Sequence, residues 1–429
     1  MVWAKNKTLL ITTSAIALSM VASAAHAGGF ALREQSAYYQ GMSFAGYGTT
    51  SDSISSMFWN PASLMGAGEG LTVEAHNSII LPYSDIDGTF SGNGFTIPGS
   101  TAGSGDIASD AWIPASYAAY RLNDQLVFGL GINAPFGLTT KPDFSWAGQY
   151  YSRTSKVFSL NVNPTVTYQV NDMIAIAAGV QGQYIDVSLK TADPFSGGAR
   201  TNEIKGDDIS FGATAGITIK PWKGTEIGVG YRSAIGHNLD GDLILPSGVP
   251  TSGIAAGTYA IGLGMMTPDM VNISAKQSIT DKIRVLGTVE WTNWSRLKSP
   301  RAELDSNGAT ITTLHFNYED GWFFSLGGEY DFNEQLTLRA GLAYEISPID
   351  EDIRSTRLPD NNRWWLSAGA SYALNDHLAF DIGYSHLIPE STKIDIGPGH
   401  QDYNASLGTY KADVDSNVNI FSASLRYKF

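Results

Sequence analysis

The sequence predicts an all-β protein: a 14-stranded antiparallel transmembrane β-barrel that holds an N-terminal hatch in its lumen. Three observations predict it. Hydrophobicity alternates residue by residue, short and long connections alternate along the chain, and charged residues make up only 16% of the sequence. That share is well below the roughly 25% usual in soluble domains. Outer-membrane barrels combine all three properties.

Residue-by-residue alternation runs through most of the chain from Leu71 onwards. Between Ile209 and Lys220, for example, Ile, Phe and Ala residues alternate with Ser, Gly, Thr and Lys. A period of two places one set of side chains on each face of a strand. The polar set consists of small residues and isolated charges, so we expect the apolar face to contact lipid and the polar face to line the lumen.

The connections between predicted strands fall into two kinds that alternate strictly, as periplasmic turns and outer loops do in bacterial barrels. The short, turn-rich ones are 122–124, 171–172, 221–223, 280–281, 331–334 and 375–376. The long ones are 84–111, 136–154, 191–205, 236–266, 295–318, 347–361 and 390–417. Six turns and seven loops give fourteen strands, and an even number places both ends of the barrel on the periplasmic side.

Tryptophans near the predicted strand ends indicate aromatic girdles at the two membrane interfaces. They are Trp112, Trp222, Trp291, Trp294, Trp322, Trp364 and Trp365.

Composition excludes several classes of function. The 429 residues include 27 Lys and Arg against 41 Asp and Glu, which gives a net charge of −14, and there is no Cys. An acidic chain without a basic stripe is unsuited to nucleic acid. The lack of Cys excludes disulfides, Cys-based zinc sites and Cys nucleophiles. Beyond the N-terminal segment, no stretch reaches the roughly 18 apolar residues that a spanning helix needs.

The first 27 residues have the pattern of a secretory signal peptide. Lys5 and Lys7 precede a mostly apolar run from Leu9 to Ala22, and Ala25-His26-Ala27 fits the small-x-small cleavage site. We therefore expect export, cleavage near Ala27 and residence in the outer membrane of a Gram-negative bacterium. A membrane anchor is the alternative, which the short apolar run disfavours.

Residues 28–69 are the predicted hatch, and residues 70–429 are the predicted barrel. The hatch segment lacks strand alternation and has short helical candidates at Ala31–Tyr39 and Asp52–Phe58. Eight strands fill their own lumen and sixteen leave a channel, so a fourteen-stranded barrel needs a plug. The alternative is an exposed periplasmic tail, which the many aromatic and aliphatic residues disfavour.

Several short motifs occur in order along nearly the whole chain after the predicted signal peptide. They are Gly29-Phe30, Asn60-Pro61-Ala62, Asn133-Ala134-Pro135-Phe136-Gly137, Thr267-Pro268-Asp269-Met270, Trp291-Thr292-Asn293-Trp294-Ser295, Ser347-Pro348, and the run from Leu358 to Ser367. This ordered series resembles the FadL/TodX family of outer-membrane transporters for hydrophobic compounds.

The resemblance implies passive transport of long-chain fatty acids or, in some branches, of aromatic hydrocarbons. It implies capture in an outer apolar groove, binding in a pocket near the hatch, and sideways exit where strand 3 is kinked. The gate residues would be Phe30, Asn60, Pro61 and Ala62, and the kink residues Gly131, Ala134, Pro135, Phe136 and Gly137. The partners implied are the ligand, outer-membrane lipid and lipopolysaccharide, and we expect a monomer.

The residues themselves support a bend in strand 3. Pro135 has no N–H and cannot complete a ladder in a central strand, while Gly131 and Gly137 permit a change of direction. Backbone groups that lose their partners there must be satisfied by another segment, and the turn at residues 60–62 is our candidate neighbour. Spacing alone leaves open that Ala134–Gly137 merely ends the strand at the outer rim.

Two further groups of residues are candidates for substrate binding. Segment 236–266 is predicted to be an apolar outer loop, either an exposed patch or a packed lid, and its main candidates are Leu243, Leu245, Ile261, Met265 and Met266. We favour the patch, because flexible Met side chains adapt to varied ligands.

Basic residues that hold a carboxylate in fatty-acid-binding relatives align with Thr191 and Leu314, neither of which is basic. Lys190, beside Leu189, and His315 lie one residue away, and a slip of one residue changes the face of a strand. Arg339 and Arg363 are alternatives, although lumenal Arg side chains usually pair with acidic wall residues. An uncharged substrate is the other possibility.

The sequence predicts no catalysis, cofactor or metal. Five histidines, at 237, 315, 377, 386 and 400, have no nucleophile motif such as G-x-S-x-G beside them. The alternatives to a fatty-acid transporter are an uptake channel for neutral aromatic or alkane hydrocarbons, a general porin, and a structural barrel or adhesin.

Overall fold

The protein forms a closed, 14-stranded antiparallel β-barrel, as the sequence predicted. The computed structural model describes residues 28–92, 102–248 and 254–429. The predicted signal peptide, residues 1–27, lies outside the described residues. The first strand pairs with the second and also with the last, from Thr72–Lys428 to Gly92–Gly408, which closes the cylinder.

Eight strands are continuous, and six are interrupted into two segments. In chain order they are β1 Gly70–Gly92, β2 Ala111–Asn123, β3 Leu126–Asn133 and Gly137–Thr140, β4 Ser155–Asn171, β5 Ile174–Ala192, β6 Thr201–Trp222, β7 Thr225–Arg232 and Gly236–Leu245, β8 Gly257–Met266 and Met270–Ser278, β9 Ile283–Thr292 and Arg301–Leu304, β10 Thr310–Thr313 and Gly321–Asp331, β11 Leu336–Ile346, β12 Arg363–Ala373, β13 Leu378–Pro389 and Thr392–Ile396, and β14 Gly408–Lys428.

The two faces of each strand differ as the alternation predicted. On β11, Leu338 and Leu342 face outwards and are exposed, whereas Arg339 and Glu345 face the lumen and are buried. This arrangement presents an apolar surface to lipid and a polar one to the interior. In the described part of the chain, no helix is long and apolar enough to cross a membrane.

All six predicted turns lie where one strand gives way to the next, but the predicted outer loops are too long. β1 continues to Gly92, β14 begins at Gly408, and most of 236–266 forms a β7–β8 hairpin in which Gly236 pairs with Met266. The inward side chains of this hairpin are buried, whereas its exposed residues include Gly236, Asn238, Asp240 and Gly264, which have the composition of a loop.

The predicted hatch segment lies inside the barrel and is almost entirely buried. Its short helices are Ala37–Gln40 and the 3-10 helices Ile54–Phe58 and Pro61–Gly66, capped by Ser36, Ser53 and Asn60 respectively. Further 3-10 turns at Pro194–Ser196 and Glu351–Ile353 belong to the outer connections, and one at Trp294–Arg296 lies between the two segments of β9.

Carboxylates on the barrel wall bind the hatch. Glu290 accepts a hydrogen bond from the Arg33 guanidinium at 2.7 Å, and Glu226 accepts two from Thr50, each at 2.6 Å. Glu74 accepts from the backbone N–H of Ile54 at 2.9 Å. Because these acceptors come from separate strands, the hatch is anchored around the circumference of the lumen.

The tryptophans divide between two environments. Trp112, Trp222, Trp322 and Trp364 are exposed on the outer surface, as an aromatic girdle requires. Trp294 and Trp365 are 1% and 0% exposed, so for these two the girdle prediction is wrong. Trp365 packs against Phe44 of the hatch, and Trp294 lies in the candidate site.

Candidate functional site

The barrel wall is interrupted beside β3. Pairing between β2 and β3 ends at Ser116–Ile132, and the next contact between these chain segments is an isolated bridge from Ala108 to Thr140. On its other side, β3 stays paired with β4 both before and after the break. The strand therefore resumes beyond residues 134–136, so these residues interrupt β3 and do not end it.

The N-terminal end of the hatch segment occupies this interruption. The N–H of Leu32 donates to the carbonyl of Pro135 at 2.8 Å, and the N–H of Gly137 donates to the carbonyl of Phe30 at 2.9 Å. Gln35 Nε2 also donates to the carbonyl of Ala134 at 2.8 Å. The hatch thus replaces part of the missing backbone pairing. Gly131, in contrast, lies in the intact ladder opposite Tyr117.

The turn at residues 60–62, our candidate neighbour of the kink, lies elsewhere. Asn60 Nδ2 donates to the carbonyl of Ile217 on β6 at 3.1 Å, and Thr167 of β4 donates to the carbonyl of Pro61 at 2.8 Å. Asn60 also donates to Gly48 within the hatch at 2.6 Å and accepts from the N–H of Ala62 at 3.0 Å. This turn anchors the hatch to the wall, and the residues at the kink are Phe30 to Leu32.

Three aromatic rings meet behind the wall interruption. Phe30 packs edge to face on Trp294 with ring centroids 4.6 Å apart, and both contact Phe136, at 5.9 Å from Phe30 and 6.0 Å from Trp294. All three are nearly inaccessible to solvent. One ring comes from the hatch, one from the β3 break and one from the turn between the two segments of β9, so movement of any one segment disturbs the other two.

These rings belong to a larger apolar cluster that extends outwards through the lumen, and we call it the lumenal apolar cluster. Its buried members are Phe30, Phe136, Leu138, Val157, Ile185, Leu239, Leu243, Leu245, Ile261, Leu263, Trp294, Leu297, Ala302, Tyr318, Ile349 and Leu358. The cluster joins the inward face of the β7–β8 hairpin to the hatch and the β3 break. It forms one continuous apolar region inside the barrel.

The hairpin residues singled out in the sequence are buried, so the expectation of an exposed patch is wrong for most of them. Leu243, Leu245 and Ile261 are 3%, 6% and 1% exposed, and Met265 packs partly buried against the same cluster. They lie on the inward face of a paired hairpin, where a loop was expected. Met265 and Met266 also line a groove of about 890 Å³ that borders the cluster at Leu239, Leu263 and Leu297. Arg296, Lys298 and Arg301 are its basic lining residues.

The two predicted carboxylate partners do not lie in the lumenal apolar cluster. Leu189 faces inwards and is 7% exposed, which places Lys190 on the opposite face of β5, where its Nζ lies 3.4 Å from Glu203 Oε1. His315 is exposed, whereas its neighbour Leu314 packs on the cluster. Arg339 forms an ion pair with Glu329 at 2.8 Å, and Arg363 pairs with Asp360.

Several contributors to the cluster were missed in the sequence. Leu138, Val157 and Ile185 are ordinary alternating strand residues, and only the register of β3, β4 and β5 shows that they share one interior surface. For Trp294, the sequence predicts the interfacial girdle. Within the described ranges, no group of three or more His, Asp or Glu side chains is arranged to hold a metal ion.

A profile of the family described as "Outer membrane protein transport protein (OMPP1/FadL/TodX)" matches residues 18–429. The chain belongs to this family. It is 26% identical to the "Long-chain fatty acid transport protein" of Escherichia coli O6:H1, over 99% of this chain and 100% of that relative. The protein is therefore an outer-membrane transport protein, and hydrophobic compounds are the cargo class of its family.

Solved structures show the same fold. A Pseudomonas aeruginosa FadL homologue superposes with a TM-score of 0.84 at 22% identity, covering 94% of this chain and 100% of that chain. The Pseudomonas putida toluene transporter TodX superposes with a TM-score of 0.66 at 15% identity, covering 92% and 98%. At these identities the likeness extends to architecture and not to substrate.

Proposed function

We propose that this FadL/TodX family member carries long-chain fatty acids passively across the outer membrane and releases them sideways through the interruption beside β3. The observation that carries the proposal is the continuity of the lumenal apolar cluster from the β7–β8 hairpin to Phe30 and Phe136. Each methylene buried on such a surface gains about 0.8 kcal/mol, so a long acyl chain gains most. Curated relatives that align over the full length are named as long-chain fatty acid transporters, which supports this choice.

The route requires the hatch to move. Across the wall interruption, the N–H of Leu32 donates to Pro135 and the N–H of Gly137 donates to Phe30, so a ligand reaches lipid only when these bonds open. The charges and polar groups that hold the rest of the hatch lie on other strands, among them Glu226 and Glu290. We propose that residues 30–32 withdraw locally while the remaining hatch stays docked, which prevents a water-filled leak.

Neutral aromatic or alkane hydrocarbons are the second candidate cargo. Two observations favour it: the lumenal cluster contains neither predicted cation, and a toluene transporter shares the fold. A general porin is disfavoured because the hatch is densely packed against the wall. We propose no catalytic activity.

Uptake of labelled substrates tests the proposal. The protein is expressed in a Gram-negative strain without its own fatty-acid transporter, and cells are given labelled oleate, hexadecane or toluene. We expect oleate uptake that does not require added energy. Uptake of toluene or hexadecane without oleate would replace the fatty-acid assignment by the hydrocarbon one. Steady ion conductance in planar bilayers with no uptake of any of the three would identify a porin.

A further inference from the structure

One arginine at the outer end of the lumenal apolar cluster has unused hydrogen-bonding capacity. Arg357 lies in the connection between β11 and β12 and directly precedes Leu358, a buried member of that cluster. Its carbonyl accepts a hydrogen bond from Thr140 at 2.9 Å, which fixes the backbone of this connection to the end of β3. The side chain extends from there towards β4 and β5.

The guanidinium group is only weakly engaged. Its Nη1 lies 3.3 Å from Ser155 Oγ and 3.3 Å from the carbonyl oxygen of Lys190. Within the described ranges, Nε and Nη2 have no hydrogen-bond partner and no carboxylate oxygen lies within 4.0 Å of the group. Two of the three nitrogens of this planar donor are therefore available to a ligand.

Other lumenal arginines are occupied. Arg33, Arg339 and Arg426 form ion pairs with Glu290, Glu329 and Asp381 at 2.7, 2.8 and 2.9 Å respectively. The neighbouring Arg354 has no such pair among the residues that the structure describes, but it donates to the carbonyls of Asp360 at 2.8 Å and Lys393 at 3.0 Å. Compared with these side chains, Arg357 has two nitrogens, Nε and Nη2, that donate no hydrogen bond within the described residues.

The surroundings make an uncompensated cation costly. Burial lowers the pKa of the Arg357 guanidinium, and Asp402 opposes this effect from beyond ion-pair distance. A charged group removed from water is stabilised when an anion reaches it and accepts its hydrogen bonds. A carboxylate arriving with a ligand would supply that anion.

Strand geometry links Arg357 to the cluster. Ser155, which it contacts, shares a face of β4 with Val157, and Thr140 shares a face of β3 with Leu138. Residues two apart on a strand are about 6.6 Å apart. The Cα atoms of Thr140 and Phe136 are four residues apart, or about 13 Å along an extended chain, which a long acyl chain can span.

We propose that Arg357 binds the carboxylate of an alkanoate through its Nε and Nη2, while the acyl chain lies along Leu138 and Val157 towards Phe136. This inference rests on the proposed fatty-acid transport and adds the residue that distinguishes an acid from a neutral hydrocarbon. The cation comes from the β11–β12 connection, not from Lys190 or His315. Arg357 thereby raises affinity for acids without changing the affinity for uncharged chains.

Equilibrium binding of palmitate and methyl palmitate to the purified full-length barrel tests this proposal. For Arg357→Gln we expect palmitate binding to weaken about 10- to 100-fold, the range typical of a lost charge-assisted hydrogen bond. Methyl palmitate binding should not change, which also shows that the variant is folded. The palmitate affinity of Arg357→Lys should lie between those of the wild type and Arg357→Gln. Lys190→Gln, the matched control on the opposite face of β5, should bind both ligands like the wild type.

Four results would overturn the assignment of Arg357. Unchanged palmitate binding by Arg357→Gln would show that the guanidinium does not bind the carboxylate, and equal losses for acid and ester would show a structural role. A wild-type protein that binds methyl palmitate or toluene and excludes palmitate would overturn both Arg357 and the fatty-acid cargo. A wild type that binds acid and ester equally would refute only the proposed role of Arg357 and leave the proposal of hydrophobic transport in place.

Discussion

Leu32 of the hatch and Pro135 of the broken strand are joined by a backbone hydrogen bond of 2.8 Å across the only place where β2 and β3 separate within the described chain. Pro135 cannot donate in a ladder, but its carbonyl still needs a donor. The hatch supplies one. Opening the wall and moving the start of the hatch are therefore the same structural event.

A disulfide between positions 31 and 136 should block transport. Ala31 and Phe136 form an isolated antiparallel bridge. The flanking bonds make this a non-hydrogen-bonded pair, for which Cα atoms are about 4.5 Å apart, within the range for disulfides. In Ala31→Cys/Phe136→Cys we expect oleate uptake to fall about tenfold or more under oxidising conditions. The disulfide would hold the start of the hatch in the wall interruption, since uncatalysed disulfides rearrange only over minutes to hours.

The native chain has no Cys, so the effect can be assigned to this bond. A reducing agent should restore the uptake of the double variant to the level of its two single variants. Transport that stays the same in the fully oxidised protein would show that the substrate does not leave past residues 30–32.

Glycines on the wall allow the hatch to dock, and enlarging one of them should loosen it. A Cβ atom at Gly228 would lie 1.8 Å from the carbonyl oxygen of Gly48, whereas one at Gly287 would have Ser325 O as its nearest neighbour at 3.4 Å. We expect Gly228→Ala to destabilise the docked hatch by about 1–3 kcal/mol, as other overpacked sites are. Limited proteolysis of the hatch in membranes measures this.

The matched variant Gly287→Ala should be cleaved at the wild-type rate. Barrel heat stability should be similar in both variants, since the ladder itself is unchanged. Wild-type protease resistance in Gly228→Ala would mean that the hatch shifts to accommodate the methyl group without loss.

The strand number and turn positions could be predicted because each depends on local sequence. The alternation in β11 and turn residues such as Asn375-Asp376 depend only on residues that are close together in sequence. The inward direction of Leu243 could not be predicted, because it depends on the β7–β8 register. Arg357 could not be predicted for the same reason: its neighbours Ser155 and Lys190 are 202 and 167 residues away in sequence.

Trp294 and Trp322 allow a test of the lumenal cluster. Trp294 is 1% exposed and contacts Phe30, while Trp322 is 40% exposed on the outer surface. Trp294→Ala removes a large part of the apolar surface at the hatch, so we expect the affinity for methyl palmitate to fall by about tenfold, a loss near 1.4 kcal/mol. Trp322→Ala should leave binding unchanged. Equal effects of the two substitutions would contradict a binding role for the cluster.

Docking of the hatch should weaken as pH rises, through Glu34. This side chain is 1% exposed, and its Oε2 has no hydrogen-bond partner in the described part of the chain. Burial raises the pKa of Glu34 to about 7, although the nearby Arg33 lowers it; Glu345 and Arg363 are the other charged groups that interact with it. When the hatch opens and the carboxyl reaches water, the pKa returns to about 4.5.

The direction of the pH effect follows from this difference between the two pKa values. Between pH 4.5 and 7 the open state releases the proton more readily than the docked state. The docked state therefore becomes less stable relative to the open state as pH rises, by about 3 kcal/mol in total. Hydrogen exchange of hatch amides in wild type and Glu34→Gln measures the effect, because the ratio of the two rates cancels the intrinsic pH dependence of exchange. We expect that ratio to grow at least tenfold from pH 5 to pH 8. A constant ratio would show that Glu34 stays in one protonation state throughout this range.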